Sequence, residues 1–357
     1  MPEGFLLSRV LLRFDNTSSD LLKQLSAVAL TPDGSLWVGS DELLGVERLS
    51  PIEPYIYGNH QQFAIADFVD LFNQKDEIDI EGLDYTNHYL WLTGSHSSKR
   101  KRAKGKDPEK DMHRLAEVKS ELNRYLLARI PAVNGQLFKS CSHPDDPGRK
   151  MTAACLEKTE QGNLLVEALK DDEHLGPFIA ASLPSKENGF DIEGLTVRGD
   201  RVFLGLRGPV LRGWAMILEL EVTETQPGTL TLKAIGEAGQ LYKKHFVDLD
   251  GLGVRELCLE GDDLIILAGP TMTLEGAMRV FRLKDGLDLE GDTLWGQDSG
   301  RLAVVFDLPF ARGCDRAEGL SLFPCLRQPN SLLVVYDSAD AARIEENAVF
   351  VDVFRLM

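Results

Sequence analysis

Two stretches, DIEGLDYTNHYLWLTGSHS at 79–97 and DIEGLTVRGDRVFLGLRGP at 191–209, carry the same phrase. An acidic residue leads into Gly-Leu, a short polar turn follows, and an apolar run ends in small or polar residues. Looser copies lie at 25–41 (LSAVALTPDGSLWVGSD), 255–271 (RELCLEGDDLIILAGPT) and 317–338 (AEGLSLFPCLRQPNSLLVVYDS). Each copy predicts a β-hairpin, because two strand-like runs flank a turn such as Pro32-Asp33-Gly34 or Gly199-Asp200. A unit repeated at a steady period predicts a repeat architecture in which no single unit buries its own apolar face.

Further strand-like runs follow the hairpins, namely WAMILELEV (214–222), TLTLKAI (229–235), AMRVFRL (277–283) and RLAVVFDL (301–308). Four short antiparallel strands per unit predict an all-β fold, a β-propeller. With Ser26, Glu81, Glu193, Arg255 and Glu318 as equivalent positions, the intervals are 55, 112, 62 and 63, and closure through the termini spans 65. Four intervals are alike and one is nearly double. The spacing predicts five blades with a partly helical insertion at about 98–188, six blades being the alternative. The last unit lacks an outer strand after 348–356, and FLLSRVLLRF (5–14) is expected to supply it, closing a single domain over 1–357.

The composition fits that reading. The 357 residues are 43% apolar and 27% charged, so a large core forms without disulfides. The 39 Lys+Arg against 56 Asp+Glu give a net charge of −17, which argues against a general nucleic-acid or membrane binder and leaves room for cations. Arg9 and Arg13 interrupt the N-terminal apolar residues, so no secretory signal is expected, and no run reaches the length of a membrane span. Five cysteines without CxxC spacing read as scattered reduced thiols, and a cytoplasmic location is expected.

Hairpin geometry brings the start of each first strand and the end of each second strand to one face around the channel. The strand starts contribute Asp79, Glu81, Asp191, Glu193, Asp315 and Glu318, and the ends contribute Asp41, Ser95, His96, Arg207, Thr271, Asp337 and Ser338. Two readings of the carboxylates stay open. They accept bonds from neighbouring blades and knit the ring, with glycine permitting close approach. Alternatively Asp79, Glu81, Asp191, Glu193 and Glu318 form a hard-oxygen site for Ca²⁺. Arg207, Arg212, Arg255, Arg312 and Arg316 share the rim and suit either inter-blade ion pairs or an anionic ligand.

His96 ends a second strand beside Ser95, at a place suited to an acid or base. The tract that follows holds Lys99, Arg100, Lys101, Arg102, Lys104 and Lys106. It reads as a solvated loop, as a lid in which Arg100 and Arg102 hold a phosphate or other polyanion, or as a contact for nucleic acid or a protein partner. The other histidines (His60, His88, His113, His143, His174, His245) show no HxH or HExxH spacing and read as loop or surface residues. Trp37 and Trp91 recur at one place in second strands and are expected to pack between blades.

The DIEGL starts, TGSHSSKRKR, FDIEGLTVRGDRVFLGLRGPVLRGWA and LIILAGPT resemble a bacterial family known only as a domain of unknown function, over about residues 20–357. That resemblance implies no activity. A looser one, to β-propeller phytases and related esterase-like proteins, rests on acidic-x-Glu-Gly-Leu starts, some of which bind calcium there. Asp79/Glu81, Asp191/Glu193 and Glu318 match that pattern, whereas Ser26 and Arg255 depart from it. The expectation is a channel mouth that binds an anionic small molecule, with Ca²⁺ and no organic cofactor. If it hydrolyses a phosphoester, a metal-bound water attacks, Arg207 and Arg316 stabilise the developing charge, and His96 serves as acid or base. Ser95, Arg100, Arg102, Arg212, Arg255, Thr271 and Asp337 would contact the ligand. The alternative is a non-catalytic interaction scaffold using the rim and the 99–106 tract.

Overall fold

The computed structural model describes residues 5–15, 21–236, 239–309 and 312–356. Each repeat phrase forms a hairpin. The pairs are Leu25–Leu30 with Leu36–Ser40, Ile80–Thr86 with Tyr89–Gly94, Asp191–Arg198 with Arg201–Gly208, Gly253–Glu260 with Asp263–Gly269, and Arg316–Cys325 with Gln328–Asp337. The turns use residues that tolerate left-handed backbone, such as Asn87 (φ 50°), His88 (φ 63°) and Gly199 (φ 66°).

Third and fourth strands add antiparallel to each hairpin. Gly45–Glu53 and Ile56–Ala64 extend the first, and Leu127–Val133 and Ala154–Leu156 the second. Trp214–Gln226 and Lys243–Asp248 extend the third, and Arg279–Leu283 and Leu302–Asp307 the fourth. The last hairpin takes Ala348–Arg355 and then Leu6–Arg13, which pair antiparallel from Leu6–Phe354 to Arg13–Ala348. The N-terminal run is therefore the outermost strand beside the C-terminal one. Two-residue parallel contacts, Leu11–Ile56 and Cys155–Thr229, link outer strands into two large sheets.

First strands pack in cyclic order. Leu25–Leu30 meets Ile80–Thr86, which meets Asp191–Arg198, then Gly253–Glu260, then Arg316–Cys325, which returns to Leu25–Leu30. Glycine after the acidic residue permits the close approach. A Cβ on Gly82 would lie 2.6 Å from Leu195 Cβ of the next hairpin, and one on Gly319 would lie 3.0 Å from Ala27 Cα. Apolar clusters fill the wedges between hairpins. Trp37 packs with Ile80 and Leu83, and Trp91 with Leu195 and Val197, both indoles fully buried.

Two expectations change. Thr229–Leu232 is not the fourth strand beside Trp214–Leu218; it folds back on the far end, Val222–Gln226, and Lys243–Asp248 takes the fourth place. Trp214–Gln226 is long enough to pair with both, a length the alternation alone did not expose. The stretch 98–188 also supplies sheet strands, Leu127–Val133 and Ala154–Leu156. Its remainder includes a ribbon of Ser98–Arg100 with Val118–Ser120 and helices Pro108–Ala116, Leu164–Leu169 and Gly176–Ala180. Among the described residues no helix is long and apolar enough to cross a membrane. The five cysteines are unpaired.

Candidate functional site

All five first strands bulge at the position aligned from sequence. The pairing register skips Ser26, Glu81, Glu193, Arg255 and Glu318, each flanked by paired residues. A bulged residue is re-aimed out of the strand's alternation. Of these side chains, Glu193, Arg255 and Glu318 meet one another in ion pairs across three hairpins.

At the mouth, arginines hold four of the five expected metal ligands. Arg207 Nη1 lies 2.8 Å from Glu193 Oε1 and 3.8 Å from Asp191 Oδ2, and its Nε donates to the Thr271 carbonyl at 3.0 Å. Arg255 reaches across hairpins, with Nε 2.9 Å from Glu193 Oε2 and Nη2 on Glu318 Oε1. Arg124 holds Asp79. Ser26 donates its hydroxyl to the Ile80 carbonyl of the next hairpin. The knitting reading accounts for these contacts.

Glu81 differs. Among the described residues it has no ion pair or hydrogen bond, and it faces Asp79, Glu193, Glu318 and Asp191. Desolvation, then those neighbouring charges, push its carboxyl well above the usual range. Burial raises Asp191 to about 7, with Glu193 adding to the shift and Arg207 opposing it. Burial likewise raises Glu318 to about 8, against the pull of Arg255, and Asp41 to about 7, with Asp79 and Asp337 adding to it.

The five carboxylates do not converge as a Ca²⁺ cage. Among the described residues, the one set of three or more His, Cys, Asp or Glu whose ligand atoms lie within 4.8 Å of one another is elsewhere, at His88, His143 and Asp145. Guanidinium groups stand at the mouth where a cation would have to sit.

Beside this ring opens a cavity of about 170 Å³. Lys186, Arg207, Arg255 and Arg316 line it with Glu275, Glu318 and Asp337. Four cationic groups thus meet three carboxyls, of which Glu318 is already paired with Arg255. Arg316 is half-exposed and lies 3.5 Å from Asp337. Pro270, Met272, Leu274 and Met278 supply an apolar wall. Met272 and Leu274 are 43% and 63% exposed, which leaves apolar surface available to a ligand.

Other expected site residues lie apart from this cavity. His96 is buried, its Nδ1 donates to the Gly94 carbonyl at 2.9 Å and its Nε2 accepts from Asn163 at 2.8 Å. Burial lowers its pKa to about 4, so it is a neutral structural imidazole and not an acid–base group near neutral pH. Ser95 is buried and accepts from Ser97 Oγ at 3.0 Å. Thr271 takes part through its carbonyl. Arg212 sits in an exposed turn at φ 49° and does not line the cavity.

Three of the six basic residues of the tract are paired with acids. Lys99 pairs with Glu77 and Glu121, Arg100 with Glu187, and Lys101 with Glu117. Arg100 also donates to the Leu115 carbonyl at 2.6 Å, while the carbonyl of exposed Arg102 accepts from Arg114 at 2.7 Å. Neither arginine lines the cavity. His245 is wholly buried against Glu219 at 3.0 Å, contrary to its reading as a surface residue.

Sequence reading missed Arg124, Lys186, Met272, Leu274 and Met278, none of which lies in the repeated phrase.

A cyclic set of hairpins, each with a bulge in its first strand and with carboxylates and an arginine among the bulged residues, defines a β-propeller. The chain belongs to the family of proteins of unknown function DUF3616, whose model matches residues 24–352. Similar solved structures include virginiamycin B lyase from Staphylococcus aureus (9% identity, 98% of this chain and 100% of that one, TM-score 0.38). Another is the PQQ-bound aldose sugar dehydrogenase from Streptomyces coelicolor (12% identity, 98% and 100%, TM-score 0.36). A third is a streptogramin B lyase (8%, 97% and 98%, TM-score 0.37). The comparison with curated proteins finds no match.

Proposed function

We propose that the chain is a five-bladed propeller that binds a small anionic molecule with an apolar portion in the cavity beside the carboxylate–arginine ring. The observation that carries this reading is the pairing of four cationic side chains with an apolar wall of Met272, Leu274 and Met278. Arg207 and Arg255 are held by carboxylates and form a rigid back, while half-exposed Arg316 and exposed Lys186 remain available to an anion. A phosphate or carboxylate head group suits those donors, and a short hydrocarbon suits the wall. The cyclic packing of five first strands and their five matching bulges support the blade count.

Binding is favoured over hydrolysis. The Ca²⁺-dependent phosphoesterase reading lacks a compact donor set at the mouth, and His96 is neutral and bonded on both nitrogens. The scaffold reading draws little support from the basic tract, because Lys99, Arg100 and Lys101 already face internal acids. Unpaired cysteines support a reducing compartment.

Calorimetric titration with butyl phosphate, inorganic phosphate and butanol tests the reading. Butyl phosphate should bind tightest, because each buried methylene adds about 0.8 kcal/mol, about fourfold. Arg316→Ala and Lys186→Ala should each weaken it by about tenfold, the loss expected for one charged hydrogen bond. Butanol binding as tightly as butyl phosphate, or both variants matching wild type, contradicts it.

A further inference from the structure

On the face opposite the mouth, the turn of the second hairpin carries a histidine toward a second histidine and a carboxylate 55 and 57 residues further along the chain. His88 Nε2 lies 2.8 Å from Asp145 Oδ2, and the rings of His88 and His143 stand 4.9 Å apart at 84°. One ligand atom from each of His88, His143 and Asp145 falls within 4.8 Å of the others. We propose that these three residues form a binding site for a divalent transition metal, Zn²⁺ by preference.

The donor chemistry selects the ion. Two imidazoles and one carboxylate suit Zn²⁺ and its first-row neighbours, whereas Ca²⁺ and Mg²⁺ call for oxygen ligands throughout. The outer contacts are also those a ligating histidine uses. His88 Nδ1 faces the Tyr85 hydroxyl at 3.3 Å, so with Nε2 on the metal the Nδ1 proton is donated to Tyr85. The ligands come from anchored backbone. His88 occupies the second left-handed position of a two-residue turn, and the His143 amide donates to the Arg149 carbonyl at 2.8 Å, closing the loop between Ser140–Ser142 and Lys150–Thr152.

Three protein ligands leave a fourth position for water or a small ligand. His88 borders a cavity of about 180 Å³ that Asp33, Tyr85, Asn134 and Pro144 also line, so that position has room. Metal binding at Nε2 replaces the His88–Asp145 hydrogen bond, and the imidazole proton moves to Nδ1, where Tyr85 accepts it.

The test uses the full chain, stripped with a chelator and titrated with Zn²⁺ against a chromophoric competitor, and then with Co²⁺ for its visible spectrum. One equivalent of Zn²⁺ should bind, and Co²⁺ should give the strong absorption of a four-coordinate N/O site. His143→Ala and Asp145→Asn should each weaken Zn²⁺ binding by more than about tenfold. Cys141→Ser, which alters the adjacent thiol, should leave it unchanged. The far-UV spectrum of each variant should match wild type, because the altered residues border a surface turn and loop. No retained Zn²⁺, or equal retention by the His88→Ala/His143→Ala double variant, overturns the proposal.

Discussion

Arg255 Nε lies 2.9 Å from Glu193 Oε2, joining the bulged residue of one hairpin to that of its neighbour. The same guanidinium reaches Glu318 in the following hairpin. A position that breaks the acidic pattern in sequence thus balances two members of it.

Replacing Arg255 should show this balance. Arg255→Met leaves Glu193 and Glu318 buried without their shared partner, and breaking a buried pair from one side costs about 3–5 kcal/mol. Urea denaturation should report a loss of that size. Adding Glu193→Gln should recover part of it; a double variant no more stable than Arg255→Met contradicts the coupling.

The raised carboxyls set a pH dependence with a definite sign. In the unfolded chain Asp41, Asp191 and Glu318 lose their protons near the ordinary carboxylate value of about 4. In the folded chain they keep them to about 7, 7 and 8. The folded state binds more protons between these limits, so the rim's contribution to stability falls as pH rises from about 4 to about 8 and is level beyond. Glu81→Gln removes the central charge and should raise the urea midpoint more at about pH 8 than at about pH 5. A lower midpoint at the alkaline end would mean that Glu81 is balanced by a cation.

His96 should titrate late. With both ring nitrogens bonded and its pKa lowered to about 4, its imidazole resonances should stay in the neutral form through the range where an exposed histidine protonates. Its contribution to stability is complete above the unfolded value of about 6.5 and declines as pH falls toward about 4. His96→Ala removes its bonds to Asn163 Nδ2 and the Gly94 carbonyl, each worth about 0.5–1.5 kcal/mol. Butyl phosphate affinity should not change; a large change would return His96 to the site.

Gly82 tests the close approach of neighbouring hairpins. A methyl there meets Leu195 Cβ at 2.6 Å, so Gly82→Ala forces two first strands apart. Overpacking of this kind costs about 1–3 kcal/mol, readable as a lower urea midpoint. Gly199→Ala, in an open turn at φ 66°, should cost less through backbone strain alone.

Much of the ring was legible because one local pattern, acid-Gly-Leu followed by a turn and an apolar strand, repeats in sequence. The equivalence of Ser26, Glu81, Glu193, Arg255 and Glu318 survives as five bulges although the side chains differ. What stayed hidden depends on long-range geometry. Arg124 joins the rim from a segment outside the phrase, and Lys186 reaches the cavity from a short turn before the third hairpin. His88, His143 and Asp145 meet through the sheet and not through spacing along the chain. His96 looked reactive beside serines and basic residues because sequence does not display burial.

The central claim is that the mouth cavity takes the anionic head of a partly apolar small molecule. A crystal structure of the protein soaked in butyl phosphate tests it most directly. Phosphate density is expected between Arg316 and Lys186, with the alkyl chain against Met272 and Leu274. An empty cavity at saturating concentration, or butyl phosphate held only at other surface lysines, would contradict it.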